Sequence, residues 1–173
     1  MTVTERVARP LSARDPRLEP WRAFIQAHAH VTRRLDEELR SEHDLSLAEY
    51  DALLTIADAP ERRIRMRQLA DQVILSKSGV TRLIDRLVAD GLVERSTCLT
   101  DGRGAEAVLT PSGLERLRRA SSTHLRGIAD HFLDVLDPAE LDVIDRTMQA
   151  VARRAGATGA LEACAPDPEL VDH

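Results

Sequence analysis

The sequence predicts a mainly α protein carrying one small β-hairpin, and three observations predict it. Apolar residues recur at steps of three and four through most of the chain, the spacing of amphipathic helices. Aromatic residues make up only 2% of the sequence, so the core must be built from Leu, Ile, Val and Ala, a composition that favours helices here. Residues 92–110 instead read as two strand-like runs around a polar loop. With 173 residues, 43% hydrophobic and 31% charged, the chain can bury one core of ordinary size.

Residues 1–17 carry scattered arginines and two prolines and read as a flexible arm. From Leu18 to about Arg40, the residues Trp21, Phe24, Ile25, Val31, Leu35 and Leu39 mark a helix of about six turns, with His28 marginal on the same stripe. Ser46 followed by Glu49 is a capping-box signature, which opens a second helix with Leu47, Tyr50, Leu53, Leu54 and Ala57 on one face. Pro60 stops it. Residues 66–73 form a short third helix, with a strand fragment at Arg63–Arg65 before it.

The fourth helix spans "SKSGVTRLIDRLVADG", with Val80, Leu83, Ile84, Leu87 and Val88 as its apolar stripe and Gly91 placed to end it. "LVERSTCL" and "EAVLT" are the two strands of the hairpin around "TDGRGA". Thr110 and Pro111 open a fifth helix as N-cap and first residue; it is expected to run past twenty residues, with Leu114, Leu117, Leu125, Ile128 and Phe132 on its apolar side. Asp137, Pro138 and Glu140 cap a sixth that ends near Arg154. Residues 155–173 lack period and are read as a disordered acidic tail. The architecture that follows is one domain over residues 18–154. A winged helix-turn-helix lobe, about 46–110, is flanked by N- and C-terminal helices at about 18–42 and 111–154.

The net charge of −5 argues against a nucleic-acid partner only as a sum, because it is unevenly placed. Four acids, Glu162, Asp167, Glu169 and Asp172, and no Lys or Arg lie after Ala155. Without that tail the chain is close to neutral, so distribution matters more than the sum.

A short helix, a tight turn and a second helix is the arrangement that places a recognition helix in a major groove. At about 100° per residue, Ser78, Arg82, Asp85 and Arg86 turn away from the apolar stripe, with Thr81 at its flank. Hydroxyls suit base edges and phosphates, and an arginine can grip guanine with two hydrogen bonds. Ser76, Lys77 and Ser78 lie at the helix N-terminus, where free N–H groups favour a phosphate. Gly79 permits a close approach. Arg103 sits at the hairpin tip between two glycines, where it can enter a minor groove. Asp101 cannot favour DNA by charge and is read as pinning the turn, by internal hydrogen bonds or by an arginine such as Arg95. The bland alternative for each residue is an ordinary solvated face; the set taken in this order favours DNA.

"LSKSGVTRLIDRLVADGLVERSTCLTDGRGAEAVLTPSG" resembles the recognition helix, wing and following helix start of the MarR family of bacterial transcriptional regulators. Asp101 and Arg103 match that family's Asp-x-Arg wing pattern, whereas Gly104 stands where a second arginine is usual. "LSLAEYDALLTIADAP" and "LADQV" resemble its second and third helices. The resemblance implies a homodimer, interlocked through the terminal helices, that binds a pseudo-palindromic operator in double-stranded DNA and acts as a repressor released by a small-molecule effector. Two half-sites roughly 34 Å apart would then share the affinity. It also marks Trp21, Asp51 and Arg86 as a candidate ligand site, since similar residues line a pocket in the urate-responsive subgroup. The competing reading is an anchoring Trp and an intramolecular Asp–Arg pair.

Other chemistry is poorly supported. His28 and His30 face different ways, His124 and His131 are two turns apart, and no Cys/His cluster has zinc spacing, so no metal and no cofactor are expected. Cys98 at the start of the wing and Cys164 in the tail suggest neither a disulfide nor a paired redox sensor. No phosphate loop or nucleophile elbow points to an enzyme. No apolar run approaches a membrane span and the N-terminus lacks a signal-peptide core, so a cytoplasmic protein is expected. The alternative from another class is a helical dimeric adaptor whose winged module binds protein rather than DNA.

Overall fold

A computed structural model describes residues 11–73, 77–97 and 105–156. The elements follow the predicted order: α1 (Glu19–His43), α2 (Leu47–Ala57), β1 (Arg63–Arg65), α3 (Met66–Gln72), α4 (Lys77–Ala89), β2 (Val93–Thr97), β3 (Ala105–Leu109), α5 (Pro111–Ile128) and α6 (Pro138–Arg154). Of the arm expected over 1–17, residues 1–10 lie outside the described residues. The arm's end is structured, because Asp15 caps a 3-10 turn, Pro16–Leu18, that leads into α1. The tail from residue 157 onward also lies outside the described residues.

α1 runs three residues further than its pattern suggested and ends at Asp44 in the left-handed region, φ 53°. The α2 capping box forms in full. The Ser46 N–H and Oγ–H both donate to Glu49 Oε2, at 2.8 and 2.7 Å, and the Glu49 N–H donates back to Ser46 Oγ at 3.2 Å. The buried face of α2 is rotated from the expected one. Glu49, Tyr50, Ala52, Leu53 and Ile56 are buried, and Leu47, Leu54 and Ala57 only partly so. The rotation follows from packing on several sides, since α2 meets α1 and α5 as well as α4 and the sheet.

The suspected fragment at Arg63–Arg65 is a true strand. The sheet has the order β1-β3-β2, antiparallel throughout, with Ile64 opposite Ala107 and Val93 opposite Leu109 on its core face. These four residues are buried. α4 ends as expected: Gly91 takes φ 70°, its N–H bonds Val88 O at 3.0 Å, and the Leu92 N–H bonds Leu87 O at 2.9 Å. That pair of bonds is a Schellman motif, closed by the buried Leu87 and Leu92.

α5 spans 18 residues as an α-helix. It is regular to Ile128 and continues as a π-helical turn, Ala129–Leu133. α6 begins with a second full capping box, between Asp137 and Glu140. No residue of α6 is buried, and Val143, Met148 and Val151 stay exposed. So do Trp21, Phe24 and Ile25 at the start of α1 and Phe132, Leu133 and Val135 after α5. Among the described residues the core joins the lobe to Leu39 of α1 and to Leu114, Leu117 and Ala120 of α5, and the terminal helices carry an apolar face that the chain does not cover.

Candidate nucleic-acid interface

α4 is held by its stripe. Val80, Leu83, Ile84 and Leu87 are buried and Val88 is half-buried, which forces Thr81, Arg82, Asp85 and Arg86 to the exposed side. Gly79 is half-buried and lines, with Arg82 and Arg86, an open cleft of about 620 Å³ between α1, α2 and α4. Lys77 and Ser78 form the first turn of α4. Ser76, Cys98, Asp101, Arg103 and Gly104 lie outside the described residues, so the wing tip is not placed.

Two ion pairs orient the exposed face. Asp85 of α4 binds Arg95 of β2 at 2.8 Å. The Arg95 guanidinium thereby ties β2 to α4; Asp101, for which Arg95 was one expected partner beside hydrogen bonds within the turn, lies outside the described residues. Both side chains are about half exposed, 41% for Arg95 and 55% for Asp85, so the pair contributes under about 1 kcal/mol. What it supplies is relative position.

Arg86 reaches Glu49 Oε1 at 3.2 Å. Glu49 thus uses one oxygen to cap α2 and the other to hold α4. At the same turn the Leu47 N–H donates to Asp36 Oδ1 of α1 at 2.8 Å, and Arg40 donates to Asp36 Oδ2 at 2.7 Å. Burial alone would push the Asp36 carboxyl up, but the hydrogen bonds from Arg40 and Leu47 outweigh it and hold the group below its ordinary value. A continuous polar chain therefore runs from α1 through the α2 cap to α4. The capping signature in the sequence located Glu49, but nothing in it disclosed the second oxygen's partner.

The three residues marked as a ligand site do not meet within the chain. Arg86 lines the cleft and Trp21 and Asp51 do not. Trp21 stands 59% exposed near the start of α1, its ring 6.1 Å from that of Phe24. Asp51 lies on the face of α2 opposite Glu49 and is exposed to solvent on one side. Its carboxyl is nevertheless crowded by protein atoms, and this burial pushes it up to about 6. The Asp–Arg pair weighed for Asp51 and Arg86 is an Arg86–Glu49 pair instead.

The histidines act singly. His131 Nε2 lies 2.7 Å from Glu38 Oε1, and His43 Nε2 lies 2.8 Å from Thr123 Oγ1. His124 packs against Tyr50 with ring centroids 4.4 Å apart and planes tilted by 39°, and burial pushes its pKa down. Among the described residues, no group of three or more His, Cys, Asp or Glu could hold a metal ion. Among them also, no helix is long and apolar enough to cross a membrane.

Comparison with known proteins points one way. The model of the MarR family matches residues 43–104, which is α2 through the wing. A MarR family transcriptional regulator of Streptomyces coelicolor, Sco3205, solved in complex with DNA, is 30% identical. The alignment covers 86% of this chain and 91% of that one, with a TM-score of 0.77. AbsC, another MarR family regulator of that organism, is also 30% identical, covering 87% of this chain and 99% of its own, with a TM-score of 0.77. An HTH-type transcriptional regulator of Bacillus cereus is 27% identical over 131 residues, 76% of this chain and 85% of the relative.

Proposed function

This chain belongs to the MarR family of transcriptional regulators, and from that premise we propose that it works in the cytoplasm as a homodimeric repressor released by a small molecule. One observation carries the DNA-binding part. α4 buries Val80, Leu83, Ile84 and Leu87, presents Thr81, Arg82 and Arg86 outward, and is tied to the hairpin by Asp85–Arg95. On this proposal α4 would enter the major groove and Arg103 the minor groove. In this reading Ser76, Lys77, Ser78 and Gly79 meet phosphates or the groove floor, Thr81, Arg82 and Arg86 face base edges, and Asp101 supports Arg103.

The homodimer is supported by the uncovered apolar face of α1, the turn after α5, and α6. A monomer would leave this face in water at roughly 25 cal/mol per Å². Release by a ligand is supported by the cleft beside Arg40, Arg82 and Arg86. An anionic effector that competes for these guanidinium groups would disturb the Asp36–Glu49–Arg86 chain and shift the lobe relative to α1. Its effect is limited to its differential affinity for the two lobe positions. Trp21 and Asp51 would belong to a ligand site only where a second chain completes it.

The test is genomic binding-site mapping with the purified protein, followed by titration of the recovered operator. Arg82→Ala should lower affinity for the operator by about 1–3 kcal/mol and relax specificity. Lys77→Ala should weaken binding to all sequences and lower the salt slope by about one unit. Equal losses on operator and random DNA for both variants would remove α4 from base recognition.

A further inference from the structure

His43 is the last residue of α1, and the lobe begins three residues later at the Ser46 cap. The joint between them is clamped to α5 from two sides. Arg116 donates through Nη1 to the His43 carbonyl at 2.8 Å, and Nε2 of the His43 ring lies 2.8 Å from Thr123 Oγ1. Thr123 is buried, and its hydroxyl lies 2.8 Å from Glu42 Oε2. Arg126 closes the network by donating to the two Glu42 oxygens at 2.8 and 3.1 Å. α1 packs along α5, so these bonds hold the place where the terminal helices hand the chain to the lobe.

The direction of each bond follows from what each group can donate. The Glu42 carboxyl is held below its ordinary value, chiefly by the Thr123 hydrogen bond and then by Arg126, so it is ionised wherever a histidine titrates. A carboxylate only accepts, so the Thr123 hydroxyl hydrogen goes to Glu42. Thr123 Oγ1 must then accept from His43, which puts a hydrogen on Nε2 and leaves Nδ1 bare. A proton taken up by His43 therefore adds to Nδ1 and makes the ring a cation.

The surroundings disfavour that cation. Burial pushes the His43 pKa down; Glu42 opposes this, and Arg119, Arg116 and Arg126 reinforce it. The ring borders an open cleft of about 310 Å³, lined also by Arg40, Glu42, Asp44, Arg116 and Arg119, through which solvent reaches it. Arg40 is held by Asp36 at 2.7 Å, and Asp44 follows as the left-handed cap of α1. His124, the residue after Thr123, packs on Tyr50 of α2 instead. The folded chain thus binds the His43 proton less tightly than the unfolded chain. The stabilisation present at neutral pH is lost as pH falls below the ordinary histidine value of about 6.5.

We propose that His43 is a proton-operated latch: neutral, it locks α1 to α5 at the entrance to the lobe, and charged, it loosens that joint, so that acidification weakens DNA binding. The regulatory half of this inference rests on the reading that the lobe binds DNA. The joint fixes how the lobe is carried on the terminal helices, and so whether two half-sites can be met at once. The proton is itself the signal, and it acts only through its differential affinity for the locked and loosened arrangements.

The experiment compares the full chain with His43→Gln, which can still donate to Thr123 but does not titrate, and with Arg119→Gln, which removes an exposed repelling charge. NMR follows the His43 Cε1–H resonance across a pH series. It should titrate below free histidine, and Arg119→Gln should move its midpoint up. Urea midpoints, and fluorescence anisotropy on a duplex recovered by binding-site selection, are measured at about pH 7.5 and about pH 5.5. On acidification the wild type should lose about threefold in operator affinity per chain relative to His43→Gln, and its urea midpoint should fall further.

A His43 midpoint at or above that of free histidine would overturn the proposal. So would wild-type and His43→Gln profiles that run parallel in urea or on DNA. Should His43→Gln not fold, Arg119→Gln decides, because an unmoved His43 midpoint removes the arginine cluster from the latch. If selection at neutral pH recovers no duplex, the functional reading fails and the regulatory half with it. If a duplex is recovered and both proteins bind it with the same pH dependence, only this inference fails.

Discussion

Gly113→Ala sets two physical effects of known sign against each other. Gly113 is the third residue of α5, and its N–H donates to the Thr110 cap at 3.0 Å. In an exposed helix the change to Ala would stabilise by about 1 kcal/mol. Here the added Cβ would lie 2.1 Å from Leu92 O, 2.8 Å from Leu109 Cδ1 and 3.0 Å from Leu92 C. The Leu109 methyl can rotate away. The Leu92 carbonyl cannot, because it accepts from the Thr110 N–H at 3.1 Å and the Leu92 N–H closes α4 on Leu87 O at 2.9 Å. The start of α5 must move by about an ångström. Overpacking of this kind costs about 1–3 kcal/mol, and weakening the Thr110–Leu92 bond adds about 1 kcal/mol.

The net expectation for Gly113→Ala is a loss of about 2 kcal/mol, or a Tm lower by about 4–8 °C for a chain of this size. Gly91→Ala is the control. No atom lies within 4 Å of its Cβ, but φ is 70°, so only the left-handed backbone penalty of about 1–2 kcal/mol applies. Urea unfolding, followed by circular dichroism with m-values compared, measures both. A Gly113→Ala protein as stable as the wild type would refute the reasoning, since helix propensity would then outweigh the clash. Because this contact joins α5 to the end of α4, a shifted lobe should also bind DNA more weakly.

Three further outcomes are expected. Glu49→Gln keeps a hydrogen-bonding N3 residue and loses the pair to an Arg86 whose side chain is 61% exposed, so it should cost under about 1 kcal/mol. Glu49→Ala also opens the capping box and should cost about 1–2 kcal/mol, and equal urea midpoints for the two variants would contradict the division of labour between the carboxyl oxygens. The Asp51 carboxyl is raised from 3.8 to about 6 in the folded chain, so the folded state binds its proton more tightly than the unfolded one, and stability falls as pH rises through that window. Asp51→Asn should therefore stabilise at pH 8, by an amount of order 1 kcal/mol after discount for its solvent exposure, and the gain should vanish below about pH 4; a gain that grew on acidification would reverse the sign. Arg103→Ala should leave the urea curve unchanged and weaken binding most on operators with A·T-rich flanks, and equal affinities of both proteins for two operators differing only in flank composition would remove the wing from the mechanism.

Local chemistry was readable before any fold. Ser46 with Glu49, Thr110 with Pro111 and Asp137 with Glu140 marked helix starts that the structure reproduces, because a cap depends on residues three apart and on nothing distant. Gly91 closed α4 for the same reason. The stripe Val80–Leu83–Ile84–Leu87 determined which side of α4 faces outward, since helix geometry alone converts that spacing into a face. The tertiary structure decided what could not be local. It rotated α2 so that Ile56 is buried and Leu54 only partly so, because neighbours on several sides compete for that helix. It gave Arg86 to Glu49 rather than Asp51 and Arg95 to Asp85, because pairing requires side chains from different elements to meet within about 4 Å, a distance no spacing along the chain encodes. It also turned three residues at Arg63–Arg65 into an edge strand, whose hydrogen-bond partners lie on β3, more than forty residues further along the chain.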